Sequence, residues 1–266
     1  MTSTLYIPHG GGPLPIMNDP GHAEIIDYLR GVSPEFGQPS AIVVVSAHWE
    51  SATPAITAAP NPELYFDYYG FPPETYEYTY PATGSVQLAE RLGELVAAGG
   101  FEPRLDTERG FDHGMFIPLM LMYPEANIPV VQLSLIDGLD PAAHIELGEA
   151  IRPILDDDVL VLGSGMSFHN MAGFSMSGGP AAPDPDNISF DQWLEHVCAG
   201  DELDSAGRRA QLIDWAQAPA ANYNHPREEH LIPLHVCFGA AGGTQATRTF
   251  DAVTLGKRVA AYAWDA

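Results

Sequence analysis

The sequence predicts an α/β protein with a mainly parallel or mixed central sheet, helices on both faces and a metal site at the carboxyl ends of the strands. Short runs rich in Val, Ile and Leu alternate with helical patterns, which is typical of βαβ units. The runs are continuously apolar, as expected of strands that helices cover on both faces. Histidines follow three of these runs, and open α/β sheets bind ligands outside the carboxyl ends of their strands.

The predicted elements follow from these patterns in chain order. Strands are expected at 4–7, 41–47, 129–135 and 158–163, with a further pair at 248–254 and 258–264. Helices are expected at 21–31, 85–99, 141–155, 189–200, 205–217 and 229–241. We predict that residues 1–266 form a single catalytic domain.

Two stretches do not fit this alternation and are predicted to be substrate loops. Residues 50–84 are rich in Pro and Tyr, and residues 171–188 are rich in Gly, Pro and Ser. Both are longer than ordinary connections, and loops of such length are usually functional. The second loop follows His169 directly, so we expect it to border the site.

Composition argues against several classes of partner. The chain has 11 basic and 35 acidic residues, for a formal net charge of −24, which repels nucleic acid and anionic membrane surfaces. No apolar run approaches the roughly 20 residues of a membrane-spanning helix. The N-terminus lacks a signal-peptide pattern, and the two cysteines, Cys198 and Cys237, have no metal or disulfide spacing. We therefore expect a cytoplasmic protein.

The three histidines at strand ends predict a metal centre. His9 opens a His-Gly-Gly-Gly-Pro turn, His48 lies in Ser-Ala-His-Trp, and His169 follows a strand and a predicted turn at 163–165. Imidazole is the commonest metal ligand in proteins, and three imidazoles at one sheet edge favour a bound cation. A phosphate-binding loop is excluded because neither the GxGxxG spacing nor the Walker lysine is present.

Two further clusters add candidate residues. Glu229 and His230 stand side by side before an apolar helical pattern, and either side chain is able to complete a metal's coordination. His113 lies in a predicted turn within Asp-His-Gly, where it could stabilise a substrate oxygen. The other histidines in helical patterns, among them His22, are expected to be structural.

The motifs together resemble the class III extradiol ring-cleavage dioxygenases, in the single-chain type exemplified by 4,5-DOPA dioxygenase. The resemblance covers residues 5 to about 242, with every motif in the family's order. It rests on His-Gly-Gly-Gly-Pro at 9–13, Ser-Ala-His-Trp at 46–49, Gly-Phe-Pro-Pro-Glu at 70–74, Asp-His-Gly at 112–114, the segment 122–135, Gly-Ser-Gly to His-Asn at 163–170 and His-Pro-Arg-Glu-Glu-His at 225–230.

The resemblance implies a non-haem Fe(II) enzyme that inserts O2 into a catechol, with Zn(II) able to occupy the same site. By position, His9, His48 and His230 match the metal ligands, and His169 matches a histidine that either joins them or acts as acid and base. His113 would stabilise the bound oxygen species. Protocatechuate-type members use a glutamate as third ligand, which leaves Glu229 open as an alternative, and we expect His230.

Two other functions are compatible with the same residues. A zinc hydrolase would use the histidines to activate water, with Glu229 as general base. A metal-binding member of the fold without enzymatic activity is the non-catalytic alternative. Arg109 and Arg227 are the arginines inside motifs, and either is a candidate partner for a substrate carboxylate. Homo-oligomerisation is compatible with the sequence, but no pattern requires it.

Overall fold

One eight-stranded sheet organises the protein. The computed structural model describes residues 2–175 and 182–265. The strands are β1 Thr2–Pro8, β2 Ala41–Ser51, β3 Ala55–Thr57, β4 Arg104–Asp106, β5 Val130–Ile136, β6 Val159–Gly165, β7 Thr247–Thr254 and β8 Lys257–Asp265. They lie in the order β4-β3-β5-β2-β6-β1-β8-β7.

Eight α-helices connect the strands within the described residues. They are α1 Ala23–Phe36, α2 Val86–Ala98, α3 His113–Met122, α4 Pro141–Ile151, α5 Pro185–Ala199, α6 Ser205–Ile213, α7 Ala221–Asn224 and α8 Ile232–Ala240. Short 3-10 helices span Pro20–His22, Pro73–Tyr76, Arg152–Asp157 and Trp215–Gln217. Across the described part of the chain, every helix is too short or too polar to cross a bilayer.

The four central strands β5, β2, β6 and β1 are parallel, so their carboxyl ends meet at one edge. β8 pairs antiparallel with β1 and with β7, and β3 pairs antiparallel with β5. The sheet is therefore mixed, with a parallel centre. This confirms the predicted α/β class.

Alternate residues of the central strands feed two separate cores, one on each face. Tyr6 and Val43 pack with the apolar faces of α2, α4, α5, α6 and α8. Leu5 and Ile42 point to the opposite face and pack with α1 and α3. Helices on both faces explain why the strands are continuously apolar instead of alternating with polar residues.

Several elements were absent from the sequence prediction, among them α3, β3, β4 and the four-residue helix α7. Helix α3 is buried along its whole length apart from Met120, so it has no polar stripe and no amphipathic period. Strands β3 and β4 have only three residues each, which is too short for a period-two pattern to be recognised. The predicted loop at 50–84 accordingly contains the end of β2, the whole of β3 and one 3-10 helix.

The predicted turn at 163–165 is wrong, because β6 continues through Gly165. The glycines serve packing instead. A Cβ at position 163 would lie 2.8 Å from the carbonyl oxygen of Pro233, and a Cβ at position 165 would overlap the carbonyl oxygen of His230. Because these two glycines have no Cβ, the backbone at the start of α8 lies directly on β6.

The second predicted loop is described only in part. Residues 171–175 form an irregular segment after a turn, and α5 already begins at Pro185. Residues 176–181 of the predicted loop lie outside the described residues.

Candidate metal centre

Five histidines from five places in the chain line one cavity of about 390 Å³ at the carboxyl edge of the sheet. They are His9, His48, His113, His169 and His230. A larger and more open groove of about 590 Å³ lies beside β4, and none of these histidines lines it. The chemistry available in the smaller cavity makes it the candidate site.

The ends of two neighbouring parallel strands supply two of the histidines, and the segment before α8 supplies a third. His9 follows β1 directly, and its amide donates a hydrogen bond to the carbonyl of Gly165 at 3.1 Å. His169 lies four residues beyond the end of β6, and its amide donates to the carbonyl of Asn224 at 2.9 Å. His230 lies two residues before α8, where its carbonyl accepts hydrogen bonds from the Tyr6 hydroxyl and the Met166 amide.

A wide β-bulge in β2 directs the His48 side chain into the cavity that the other histidines line. Val45 pairs with Leu133 of β5 and Glu50 pairs with Leu135, so four residues of β2 stand opposite one residue of β5. Such bulges bend a strand and re-aim its side chains, often beside active sites. His48 therefore belongs to β2 itself and does not follow its end.

A buried polar network sets the start of α3 and with it His113, which is the first residue of a helix and not part of the predicted turn. Asp112 accepts hydrogen bonds from Ser46 at 2.7 Å and from the Gln132 amide group at 2.9 Å. Burial raises the pKa of Asp112, and the charge of Asp67 acts in the same direction. The network ties β2, β5 and α3 together beneath two of the histidines.

The imidazole rings face one another at short range. The Nε2 atoms of His9 and His48 are 3.2 Å apart. The ring of His230 lies 5.2 Å from that of His9 and 4.9 Å from that of His48, measured between centroids. His113 packs against His48 at 3.9 Å, and His169 stacks on His230 at 3.3 Å.

Oxygen atoms behind the rings orient four of the five histidines. The Nδ1 atom of His9 donates to the carbonyl of Gly10 at 2.9 Å, and that of His113 donates to Asp67 at 2.7 Å. The Nδ1 atoms of His230 and His169 lie 2.9 and 3.1 Å from the same Oε1 atom of Glu229. Because these oxygens accept, the proton sits on Nδ1 and the Nε2 lone pair is left for another partner.

This arrangement fits a metal ion. Two nitrogens that bind one ion at about 2.1 Å lie about 3.0–3.4 Å apart, which agrees with the His9–His48 separation. Metal-binding histidines usually donate their second N–H to a carboxylate or carbonyl, as His9 and His230 do. The donor atoms form two compact groups, His9 with His48 and His113, and His169 with Glu229 and His230.

Burial keeps the innermost rings neutral. It lowers the pKa of His9, His48 and His230 well below the ordinary value, and the neighbouring histidines lower each pKa further. Burial acts to raise the pKa of Glu229, but the hydrogen bond from His169 and the charge of Arg227 leave it below the ordinary value. Neutral imidazoles backed by an ionised carboxylate are prepared to bind a cation.

Comparison with known proteins agrees with this chemistry. The family described as the catalytic LigB subunit of aromatic ring-opening dioxygenase matches residues 3–258. The chain belongs to this family. The extradiol dioxygenase class expected from the sequence motifs is therefore confirmed, and the family's dependence on a metal agrees with the histidine site.

Named relatives of the family align over nearly the whole chain. The chain is 37% identical to dioxygenase tasH of Hapsidospora irregularis, over 99% of this chain and 86% of that protein. It is 37% identical to the 4,5-DOPA dioxygenase extradiol of Beta vulgaris, over 90% and 87%. It is 35% identical to the protein of that name in Escherichia coli K12, over 91% and 86%.

A solved structure shows the same fold. An uncharacterized protein from Escherichia coli K12 superposes with a TM-score of 0.78 at 28% identity, over 100% of both chains.

The sequence did not indicate several contributors to the cavity of this family member, among them His22 and the tip of the β7–β8 hairpin. His22 was expected to be structural, yet it lines the cavity, where its Nε2 accepts from the Gly11 amide at 3.1 Å and its Nδ1 contacts Asp19 at 2.7 Å. Thr254 and Leu255, at the tip of the β7–β8 hairpin, also line the cavity. No local signal distinguishes a hairpin tip that covers a site from one that faces solvent.

Neither candidate arginine lines the histidine cavity. Arg109 lies between the rings of Trp49 and Tyr65, and it also donates to the carbonyl of His48 at 3.2 Å. Arg227 forms a two-point ion pair with Glu50. Both side chains support the walls of the site from behind.

Proposed function

We propose that the protein is a non-haem Fe(II)-dependent extradiol dioxygenase that inserts both atoms of O2 into a catechol and opens the ring. One observation carries the proposal: the three neutral imidazoles of His9, His48 and His230 face one another in a cavity whose other walls are mostly apolar, in a chain of the ring-opening dioxygenase family. A mostly apolar cavity with a few placed polar groups suits a flat aromatic substrate.

His9, His48 and His230 would hold the metal. Three protein ligands leave coordination positions for two substrate oxygens and O2, as in other non-haem Fe(II) oxygenases. Bound Fe(II) would supply Lewis acidity toward the catechol oxygens and electrons toward O2. Zn(II) would fit the same nitrogens without supporting the oxygen chemistry.

His169 would serve as the acid and base. Its Nδ1 contacts Glu229, so its Nε2 lone pair is free to accept a proton from a catechol hydroxyl. The protonated ring is stabilised by the same carboxylate and would return the proton to an oxygen of the product. His169 stacks on His230, a proposed metal ligand, so the proton transfer would take place next to substrate oxygens bound to the metal.

His113 would stabilise negative charge on oxygen from the opposite side. Its Nδ1 and its amide both donate to Asp67, so the carboxylate supports a positive charge on the ring. A protonated His113 presents its Nε2–H to the cavity, where it would donate to an oxyanion.

The proposed reaction balances without another reactant. One ring C–C bond next to the diol and the O–O bond break, while each oxygen atom of O2 forms a bond to carbon. Catechol and O2 together have the composition of the product, which is a ring-opened acid with an aldehyde or ketone at the other end. The catechol and O2 are thus the small-molecule partners that we propose.

The hydrolase alternative is weaker. A general base for water needs a carboxylate in the cavity, but Glu229 is not among the residues that line it, and its Oε1 contacts His169 and His230. The family and its named dioxygenase relatives support the oxygenase. The single catalytic domain, the cytoplasmic location and the oligomeric state stay predictions.

Oxygen uptake tests this proposal. Protein loaded with Fe(II) under anaerobic conditions is mixed with catechol, 4-methylcatechol, protocatechuate and DOPA, and O2 and visible absorbance are recorded together. We expect one O2 consumed for each yellow ring-opened product and no turnover in His48→Ala, whose fold is checked by circular dichroism. Tight Fe(II) binding without O2 uptake from any catechol would contradict the proposal.

A further inference from the structure

We infer that the cavity accepts an uncharged catechol with an apolar ring substituent, and that Leu255 is a specificity-determining residue that contacts this substituent. The inference rests on the proposed function, because it assigns a substrate class to the same site. Three observations support it: the wall of the cavity is apolar, the nearby lysine and arginine side chains already have partners, and Leu255 has a strained backbone conformation.

The wall opposite the histidines is apolar. Leu14, Phe71, Met166, Phe174 and Leu255 contribute to it. Among the described lining residues there is no lysine and no arginine. Residues 176–181, which follow Phe174 in the chain, read Met-Ser-Gly-Gly-Pro-Ala and contain no basic residue either.

The cations nearest the site already have partners. Lys257 pairs with Asp184 and donates to the Tyr223 hydroxyl at 3.0 Å. Arg227 pairs with Glu50 and lies 3.5 Å from Glu229.

Arg109 is enclosed by two aromatic rings and contacts Asp112 at 3.4 Å. A carboxylate on the ring substituent would lose its hydration at the apolar wall without gaining a lysine or arginine counterion, which disfavours its binding. The net charge of −24 also repels an anionic substrate as it approaches.

Leu255 sits at a position that opposes its own backbone preference. Thr254 pairs with Lys257, so Leu255 and Gly256 form a two-residue hairpin turn with φ angles of +49° and +82°. Turns of this kind favour Asn or Asp followed by Gly, and a bulky residue at positive φ is unusual. Strain of this sort tends to be retained at ligand sites.

The strained turn brings Leu255 over the cavity. A Cβ at Gly21 would lie 2.5 Å from its Cδ2, and its carbonyl accepts a hydrogen bond from the Ser175 amide at 2.8 Å. The hairpin tip therefore bridges the turn at 19–22 and the segment at 171–175. The Leu255 side chain is partly buried and lines the cavity, so an apolar substituent would contact it.

The mouth of the cavity continues the apolar surface. Tyr69 is 91% exposed and Met171 is 68% exposed, and both line the cavity. Isolated exposed side chains are common, but two at the rim of an apolar cavity provide a path for a substituent longer than the ring. A propyl group and a neutral ester are substituents that extend along this path.

The test compares an acid with its neutral methyl ester, two substrates that differ in charge and by one methyl group. Homoprotocatechuate and its methyl ester are each assayed for kcat/KM with the Fe(II)-loaded enzyme, and their Kd values are measured calorimetrically with the Zn(II)-loaded protein. We expect the ester to exceed the acid by at least 30-fold in kcat/KM and 10-fold in affinity. Equal values, or preference for the acid, would overturn the inference.

Variants at the hairpin tip test Leu255 itself. Leu255→Asn suits the left-handed turn, so we expect unchanged or greater resistance to urea and a fall of about 10-fold in kcat/KM for the ester, with unsubstituted catechol little affected. Leu255→Arg should raise kcat/KM for the acid at least 10-fold. The control Val253→Arg adds the same charge on the same hairpin at a residue 59% exposed and outside the cavity lining.

The outcomes separate the two hypotheses. If no catechol supports O2 uptake, the proposed function fails, and the calorimetric comparison still decides the charge preference. If catechol is cleaved but the acid is preferred, only the inferred substrate class fails. Equal losses for all substrates in Leu255→Asn would show a structural role and overturn the assignment of Leu255.

Discussion

At the scale of single residues, Glu229 and His230 show how neighbours in sequence acquire different tasks. His230 is almost fully buried and directs its ring toward His9 and His48. Glu229 lies behind that ring, where one oxygen contacts both His230 and His169. Carboxylates in this position orient the imidazole and raise its basicity.

The two residues should therefore differ in their effect on metal binding. We expect His230→Ala to abolish tight binding and Glu229→Gln to weaken it by about 10–100-fold, the usual effect of losing a carboxylate behind a ligand. Competition with a chromophoric chelator measures both affinities, and Glu228→Gln is the neighbouring control. The reverse order, with Glu229→Gln the more severe, would make Glu229 the ligand.

At the scale of elements, glycines decide how closely β6 and the start of α8 approach. Gly165 leaves room for the carbonyl of His230, which a Cβ would overlap. Gly31 has no such role, because it lies exposed within α1 and an added Cβ would meet nothing within 4 Å. Glycine is thus required for packing in β6, whereas in α1 it lowers the stability of the helix.

Matched alanine substitutions should move stability in opposite directions. Gly31→Ala should raise the free energy of unfolding by about 0.5–1 kcal/mol, because alanine is the better helix former. Gly165→Ala should lower it by about 1–3 kcal/mol through overpacking and should weaken metal binding as His230 shifts. Urea titrations measure both changes. A neutral Gly165→Ala would contradict the packing argument.

At the scale of the whole molecule, buried neutral histidines couple folding to pH. Burial lowers the pKa of His225 to about 3 and that of His235 to about 4. Unfolded histidine takes up a proton near pH 6.5, so below that pH the unfolded chain binds protons that the folded protein does not. Stability is thus complete above about pH 6.5 and declines as pH falls toward 4.

The metal-free protein should accordingly lose stability in mild acid. Each such histidine contributes a slope of up to about 1.4 kcal/mol per pH unit below pH 6.5. Urea midpoints at pH 7, 6 and 5 measure the total slope, and His225→Gln should make it shallower by one proton. An unchanged slope in that variant would show that His225 is protonated in the folded protein.

Sequence patterns predicted the parts of this protein that depend on local residue order. Continuous apolar runs predicted the four central strands and the α/β class, and the motif series predicted the ring-cleaving dioxygenase family. His9, His48 and His169 were recognised because each follows an apolar run that predicted a strand, and the carboxyl ends of the predicted strands were expected to meet at one sheet edge. The adjacent Glu229 and His230 were both recognised as possible ligands from the sequence, and the motif resemblance favoured His230.

Tertiary structure decided the parts that depend on residues distant in the chain. Helix α3 is buried on all sides, so its sequence has no amphipathic periodicity. Only the folded structure therefore revealed that His113 begins a helix. Glu229 became a support for two rings, and Leu255 became part of a wall formed with residues more than 200 positions away. Local patterns therefore determined the class and the ligand candidates, whereas the roles of neighbouring side chains required packing, which brings distant segments within hydrogen-bond and van der Waals distance.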